Sequence, residues 1–356
     1  MNLCILGSGL TSLTLAKTLV NQGIQVDLFQ SKHMLKKDKN RTLGISKINL
    51  DFFNKEISNI EKLSWEIKQI EITSEKLKDE KILNFENKGQ KLFSIVKNDE
   101  LINHLLTKLR KEKLCKFRKD KIDINLLSKK YGLIINCDYF NSITKKFFFN
   151  KIKKNYDSFA YSSIIKHSKI KNYKASQIFT SRGPLAFLPI SEYETSVVYS
   201  VKGFKDINFK NLIRKYNLTY KIKNISDPSK FELNSLNLRK YYYENVLAFG
   251  DLLHKIHPLA GQGYNMTLRD IKEILILIKS KKENGLDLDK SICMDFEKKT
   301  KNRNFLFSNS IDFIYEFFNL ENKLNNNILS KTVKIFGKNK NLNKFFTKIA
   351  DNGLIF

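Results

Sequence analysis

The chain has 356 residues, too many for one compact core and suited to two domains. Its net charge of +28 is spread along the whole length with no motif that interleaves basic and aromatic residues, so nucleic acid is not an expected partner. That excess fits a coding bias towards Lys, Asn and Ile, or attraction to an anionic membrane surface.

No apolar run approaches the roughly 18–20 residues that span a bilayer. The N-terminus enters a strand without a cationic leader, and Cys4, Cys115, Cys137 and Cys293 have no metal-like spacing. A reduced, cytoplasmic chain without a metal is the expectation.

In chain order, Asn2–Leu6 reads as a short apolar strand. Gly7-Ser8-Gly9-Leu10-Thr11-Ser12 follows, then a helix carrying Leu13, Leu15, Ala16, Leu19 and Val20. Gly23 closes the helix, and Ile24–Phe29 is a second strand ending at Gln30. This is a βαβ nucleotide-binding start: Gly7 makes the turn, Gly9 lets a pyrophosphate come close, and the small Ser12 keeps helix and strand in contact. Gln30 stands where an acidic residue usually binds a ribose hydroxyl, and an amide bonds it less strongly.

Arg41–Ser46 reads as a polar loop entering a helix, and 63–72 and 82–96 as strands with charged turns. Val96–Leu101 opens a helix with Leu101, Leu105 and Leu106 on one face. Segment 114–130 is basic and poorly patterned, and Gly132–Asn136 is a buried strand ending at Cys137-Asp138. From Ser158 to Val201 apolar and polar residues alternate. Within this region lies Gly183-Pro184-Leu185-Ala186-Phe187-Leu188-Pro189. Of four prolines, two are here and a third is Pro258, so rigid turns concentrate at two places, read as two faces of one site. Segment 203–240 is linker-like, with a helix around Phe209–Tyr216.

The most informative stretch is 246–270. Val246–Phe249 is a buried strand that Gly250-Asp251 ends; Pro258, Gly261 and Gly263 follow. Met266, Leu268, Ile271, Ile274, Leu275 and Ile278 then recur at helical spacing. Strand, acidic turn, Gly-rich loop and helix N-terminus together suit a flavin. Asp251 would hold the ribitol, and the backbone of 260–263 would face the N1/O2 edge of the ring. Glu283-Asn284-Gly285 stops the helix, and 286–356 reads as further helices.

These residues resemble the flavin-dependent aromatic hydroxylases of the p-hydroxybenzoate hydroxylase type, and among them the ubiquinone-biosynthesis hydroxylases of polyprenylated phenols. The carriers are Gly250-Asp251, His257-Pro258-Leu259-Ala260-Gly261-Gln262-Gly263-Tyr264-Asn265, Leu268-Arg269-Asp270, the segment 183–189, Arg41–Ser46 and Val96-x-Asn98-x-x-Leu101. The resemblance implies an α/β fold: a Rossmann-like FAD-binding domain interrupted by a mixed or antiparallel β-sheet substrate domain, with a helical C-terminal region. The FAD-binding parts would be 1–62, 96–150 and 241–285, the substrate parts 63–95 and 151–240, and the C-terminal helices 286–356.

It also implies FAD, NAD(P)H and O2. Hydride reduces the flavin, O2 adds at C4a, and the distal hydroperoxide oxygen passes to an electron-rich ring. Carried over to this chain, the cofactor residues are Gly7, Gly9, Ser12, Gln30, Arg41, Asp138, Gly250, Asp251, Pro258, Gly261, Gln262, Gly263 and Asn265. Gly183, Pro184, Phe187 and Pro189 fall on the substrate side. His257 and Pro258 lie near the flavin, no residue is assigned to catalysis, and His254 has no role. One departure is Tyr139, where Asp138-Tyr139-Phe140-Asn141-Ser142 replaces an acidic-Gly-x-x-Ser motif linked to FAD and NAD(P)H contact. With Gln30 it leaves open a degenerate flavin-binding subunit that organises a ubiquinone-biosynthesis complex, or a flavin reductase of isoprenoid lipids on the same fold. Aromatic faces in Phe305–Leu320 and Phe345–Phe356 fit peripheral contact with an anionic inner membrane, or packing against the FAD domain.

Overall fold

The computed structural model describes residues 2–30, 38–75, 81–86, 89–120, 122–203, 207–257 and 262–324. The expected Phe345–Phe356 helix lies outside them. In chain order the elements are β1 (Asn2–Leu6), α1 (Leu10–Asn21), β2 (Gln25–Phe29), β3 (Thr42–Ser46), α2 (Lys47–Glu56), β4 (Ser64–Ile67), β5 (Gln69–Ser74), β6 (Lys81–Glu86), β7 (Phe93–Lys97), α3 (Asn98–Leu109), β8 (Cys115–Arg118), α4 (Ile124–Lys130), β9 (Ile134–Asn136) and α5 (Ser142–Phe147). There follow β10 (Lys151–His167), β11 (Lys174–Thr180), β12 (Gly183–Pro189), β13 (Glu194–Lys202), α6 (Phe209–Tyr216), β14 (Ile222–Ile225), β15 (Ser229–Leu238), β16 (Tyr242–Tyr243), β17 (Val246–Ala248), β18 (His254–Lys255), α7 (Gln262–Glu283) and α8 (Lys290–Leu324).

The first sheet has six strands in the order β16-β17-β9-β1-β2-β8. Only the β16–β17 pair is antiparallel. Leu3, Cys4, Ile5 and Leu6 are fully buried, as a parallel strand covered on both faces requires. The helices pack their apolar faces on this sheet: Leu13, Leu15 and Leu19 from α1, Leu101, Leu105 and Leu109 from α3, Leu268, Ile271 and Ile274 from α7. A second, mixed sheet runs β18-β15-β10-β13-β12-β11-β5-β6, with β14 on β10 and only the β11–β5 pair parallel. Helix α6 covers one of its faces through Phe209 and Ile213. A small sheet, β3-β7-β4, forms a separate ladder and packs Leu43, Ile45 and Val96 into the core of the first. This is the expected α/β fold.

Three local expectations are corrected. Arg41–Ser46 is no loop: Thr42–Ser46 is a strand paired antiparallel with β7. Segment 114–130 holds a strand and a helix, the helix capped by Asp123, whose side chain accepts from Asn125 N. Segment 203–240 is not a linker, because β15 pairs along its whole length with β10. Its apolar positions change phase between Leu233 and Leu236. Strand β10 absorbs that change in a bulge between Asn155 and Ser158, where Asp157 has φ +49°.

Gly132 precedes β9, and a Cβ there would stand 2.1 Å from the carbonyl oxygen of Leu288. Backbone cannot swing aside, so Gly132→Ala should cost about 3 kcal/mol or more. Gly285 has φ +69° but open space around it, so Gly285→Ala should cost only about 1–2 kcal/mol. Urea unfolding of the two variants checks the order.

Candidate cofactor and substrate site

The site begins where three parallel strands stop together. Leu6 pairs with Asn136, and Asn136 with Ala248, so β1, β9 and β17 end at one level. The residues that follow are Gly7, Cys137-Asp138 and Phe249-Gly250-Asp251. In open parallel sheets ligands bind outside such carboxyl ends.

Two glycines let these turns close on one another. Gly7 has φ +128°, and a Cβ on it would stand 2.7 Å from Ser12 Oγ and 3.4 Å from Asp138 N. Gly250 has φ +66°, and a Cβ there would meet Thr11 Cγ2 at 2.7 Å. The N-terminal and C-terminal motifs therefore touch directly. Gly9 caps α1 without any side-chain bond, which leaves the first-turn N–H groups open to an anion.

Asp251 is exposed and makes no hydrogen bond among the described residues. Asp138 is buried; its Oδ1 accepts from Phe140 N at 2.8 Å and its own N–H donates to Asn136 Oδ1 at 3.1 Å, fixing the turn after β9. Between them sits Cys137, its thiol pushed up to about 12 by burial first, with Asp138 and Asp251 adding to the rise and Ser12 opposing it.

Tyr139 follows Asp138 and is partly exposed, at 36%, with its ring under the Lys151 ammonium, 4.2 Å from the ring centre. Its φ is not positive, since Asp157 and Glu244 are the described non-glycine residues with that conformation. The position therefore needs no glycine here. Gln30 is half-buried at the end of β2, its N–H donating to Arg118 O at 3.0 Å. Arg41 is exposed, and its carbonyl accepts from Asn98 N at 3.0 Å.

Opposite these turns stands the first turn of α7. Asn265 is 2% exposed and its amide is fully engaged: Oδ1 accepts from Ser46 N and Asn49 Nδ2, each at 2.9 Å, while Nδ2 donates to Gly44 O at 2.8 Å. It clasps β3 and α2 to α7 through this side chain. Gln262 is buried, with Oε1 unpartnered among the described residues, and Gly263 is exposed. Pro258 and Gly261 lie outside the described residues. His257 is fully buried against the edge of the Tyr156 ring, centroids 5.0 Å apart. His254 Nε2 bonds Asp270 Oδ2 at 2.5 Å, and Asp270 Oδ1 accepts from Asn304 at 3.0 Å; this network is buried structure.

The second sheet meets β3 through Thr42, whose hydroxyl donates to Ser196 Oγ at 3.0 Å. Alternation along the strands decides which residues share that face. Pro184, Ala186 and Leu188 of β12, Ser196, Val198 and Ser200 of β13, and Ala160 and Ser162 of β10 are on it. Ile164 shares it, so the face mixes small side chains with branched apolar ones. Phe187 is on the other side, buried with Ile213 and Tyr220 under α6, and Pro189 shares that side, opposite Thr195. Gly183 is at the β11–β12 hairpin, where a Cβ would meet Ser200 O at 2.0 Å. Pro184 and Pro189 stand about 17 Å apart at the two ends of one strand, so they do not form a single wall.

No family model matches the chain. It is 21% identical over 274 residues to the mitochondrial ubiquinone biosynthesis monooxygenase COQ6 of Schizosaccharomyces pombe, covering 62% of this chain and 57% of that protein. It is 26% identical over 154 residues to the 3-demethoxyubiquinol 3-hydroxylase of Escherichia coli, covering 40% and 39%. Its structure superposes on PqsL of Pseudomonas aeruginosa, a probable FAD-dependent monooxygenase, with a TM-score of 0.70 at 13% identity, covering 95% and 99% of the two chains. The chain has the fold of the FAD-dependent monooxygenases. The likeness to the ubiquinone-biosynthesis hydroxylases is one of sequence, and the chain spans little more than half the length of the first of these relatives.

In this monooxygenase fold His257 is a neutral group. Burial pushes its imidazole from 6.5 down to about 3. An unfolded chain takes up that proton below about 6.5 while the folded chain refuses it until about 3, so folding stability is full above 6.5 and falls as pH drops through that window. The slope from this one group is about 1.4 kcal/mol per pH unit. His257→Phe should remove it, which urea unfolding at pH 7, 6 and 5 measures; an unchanged slope would contradict the burial argument.

Proposed function

We propose that this chain is an FAD-dependent monooxygenase that hydroxylates the ring of a polyprenylated phenol in ubiquinone biosynthesis, using NAD(P)H and O2. The observation that carries the reading is the common end level of β1, β9 and β17, with Gly7, Gly250 and Asp251 gathered there. Bound FAD would supply hydride acceptance and oxygen activation; the chain supplies position, field and dryness.

The residues fit that cofactor. Gly7 and Gly250 leave the room that a Cβ would take, and the uncapped first turn of α1 suits a pyrophosphate. Asp251, uncommitted and exposed, suits ribitol hydroxyls. Gln262 offers a buried acceptor beside the N-terminus of α7, whose dipole favours negative charge on the nearby ring edge. Asn265 acts by holding Gly44 and Ser46 in place, and so positions the Arg41 strand. The face of β10, β12 and β13 opposite α6 is the floor for the substrate ring, with Leu188 and Pro184 on it and Phe187 behind it. His257, its imidazole lowered to about 3 by burial, carries no charge at physiological pH. The six-stranded sheet is then the FAD domain and the nine-stranded sheet the substrate domain.

The purified chain should be yellow, and NADH or NADPH should bleach it until air restores the colour. Asp251→Ala should weaken FAD binding by about ten- to a hundredfold, as the loss of two hydroxyl–carboxylate bonds implies. A colourless protein that takes up no FAD overturns the proposal, and product reduction without O2 consumption replaces it with an isoprenoid-lipid reductase.

No described helix is long and apolar enough to cross a membrane. A long-tailed substrate suits a cytoplasmic chain that touches the inner membrane, in company with other enzymes of the pathway. Helix α8 exposes Phe305, Leu306 and Phe313 for such contact. Flotation with vesicles should rise with anionic lipid and fall with salt. Binding insensitive to both discards this part of the reading.

A further inference from the structure

Helix α1 meets three parts of the cofactor site with three of its residues. Ser12 closes on Gly7 and Thr11 on Gly250, as the contacts of a Cβ at those glycines show. The third is Thr14, which reaches the first turn of α7. Its Oγ1 lies 2.7 Å from the hydroxyl of Tyr264 and 2.7 Å from the carbonyl oxygen of Leu10, four residues back in its own helix. Thr14 is fully buried, and Tyr264 belongs to the core around the first sheet.

Counting protons fixes the direction of both bonds. A carbonyl cannot donate, so the one hydroxyl proton of Thr14 goes to Leu10. The Thr14 oxygen then has only lone pairs to offer Tyr264, and the phenol is the donor. Burial pushes the Tyr264 hydroxyl well above its ordinary range, with the bond to Thr14 opposing that rise, so the phenol keeps its proton. The result is a directed relay from Tyr264 to Thr14 to the Leu10 carbonyl, running from the start of α7 into the start of α1. At the far ends of the same helices Lys282 Nζ donates to the carbonyl of Gln22 at 2.6 Å, but that contact is exposed. The buried tie is at the end where both helices face the strand ends.

The two helix starts have different tasks toward FAD. The uncapped first turn of α1 suits the pyrophosphate, and the start of α7 suits the ring edge. A ligand that spans both gains when their separation is fixed in advance, because freedom left there is lost on binding. We propose that Tyr264 is a positioning residue for FAD, holding the start of α7 at a set distance from the start of α1 through Thr14. The inference rests on the cofactor reading above and assigns no chemistry to the phenol.

The test compares FAD with its two halves. Affinities of the purified full-length chain, freed of flavin, are measured for FAD by quenching of flavin fluorescence and for ADP and riboflavin by displacement of FAD. Tyr264→Phe removes the tie but leaves the Thr14–Leu10 bond, so each helix start stays intact. It should weaken FAD by about fivefold, as the net worth of one neutral hydrogen bond allows, and change ADP and riboflavin by less than about twofold. Thr14→Ser keeps both bonds and should keep the FAD affinity. Thr14→Val strands the phenol proton, so it should weaken FAD at least as much and lower the melting temperature further than Tyr264→Phe does. An equal loss for FAD, ADP and riboflavin overturns the proposal, since it marks Tyr264 as an ordinary core residue. So does a Thr14→Ser chain that binds FAD as weakly as Thr14→Val. A wild-type chain that takes up no FAD overturns the cofactor reading as well, whereas a flavoprotein whose Tyr264→Phe form keeps full affinity overturns this inference alone.

Discussion

The structure depends on three parallel strands ending at one level. Parallel pairing fixes register through evenly spaced hydrogen bonds, so Leu6, Asn136 and Ala248 cannot slip without moving every buried side chain in the sheet. Three turns from distant parts of the sequence are thereby delivered to one edge. What they can do there is set by their lack of side chains. Gly7 and Gly250 approach Ser12 and Thr11 to distances that no Cβ tolerates, and both have a backbone that L-residues avoid. The close approach of these turns is a consequence of packing.

A second layer of order comes from one amide. Asn265 makes three short bonds to β3 and α2, each worth on the order of 1 kcal/mol net and more if one partner were lost. The same strand reaches on to the second sheet through Thr42 and Ser196, and the turn before it does so through Asn40, which donates to Asp227 O at 2.7 Å. The N-terminus of α7, β3 and the second sheet are thus tied in series by short polar bonds. The position of the first turn of α7 is coupled in this way to the position of the second sheet.

The parts legible in the sequence were those in which chemistry and local pattern coincide. Gly7 to Ser12 lies between a strand and a helix, and Gly250-Asp251 ends an apolar run, so spacing alone located both. Asn265 was visible as part of a motif, but its work is clasping and not cofactor contact, because an amide's partners are set by tertiary structure. Phe187 was misplaced for a related reason: alternation tells which residues share a face of β12 but not which face α6 covers. Strand β15 was hidden because its apolar phase breaks, and only the bulge in β10 shows how the break is accommodated. Tyr139 looked like an obstruction since sequence gives a side chain's size and not its direction.

The distribution of charge follows from the same architecture. The large positive excess is carried on exposed side chains, where ion pairs such as Lys68–Glu66 add little in high dielectric. The described groups around the strand ends are instead backbone N–H groups, amides, a thiol and a neutral imidazole, with Asp138 tied into its turn and Asp251 held at the exposed edge. A buried free charge there would create a strong local field and draw in water. Neutral donors and acceptors set in a rigid frame can orient a polar ring without doing either. The charges that do enter the interior are compensated: Lys17 pairs with Glu112 at 2.8 Å, Asp27 with Arg118, and Asp270 with His254 and Asn304.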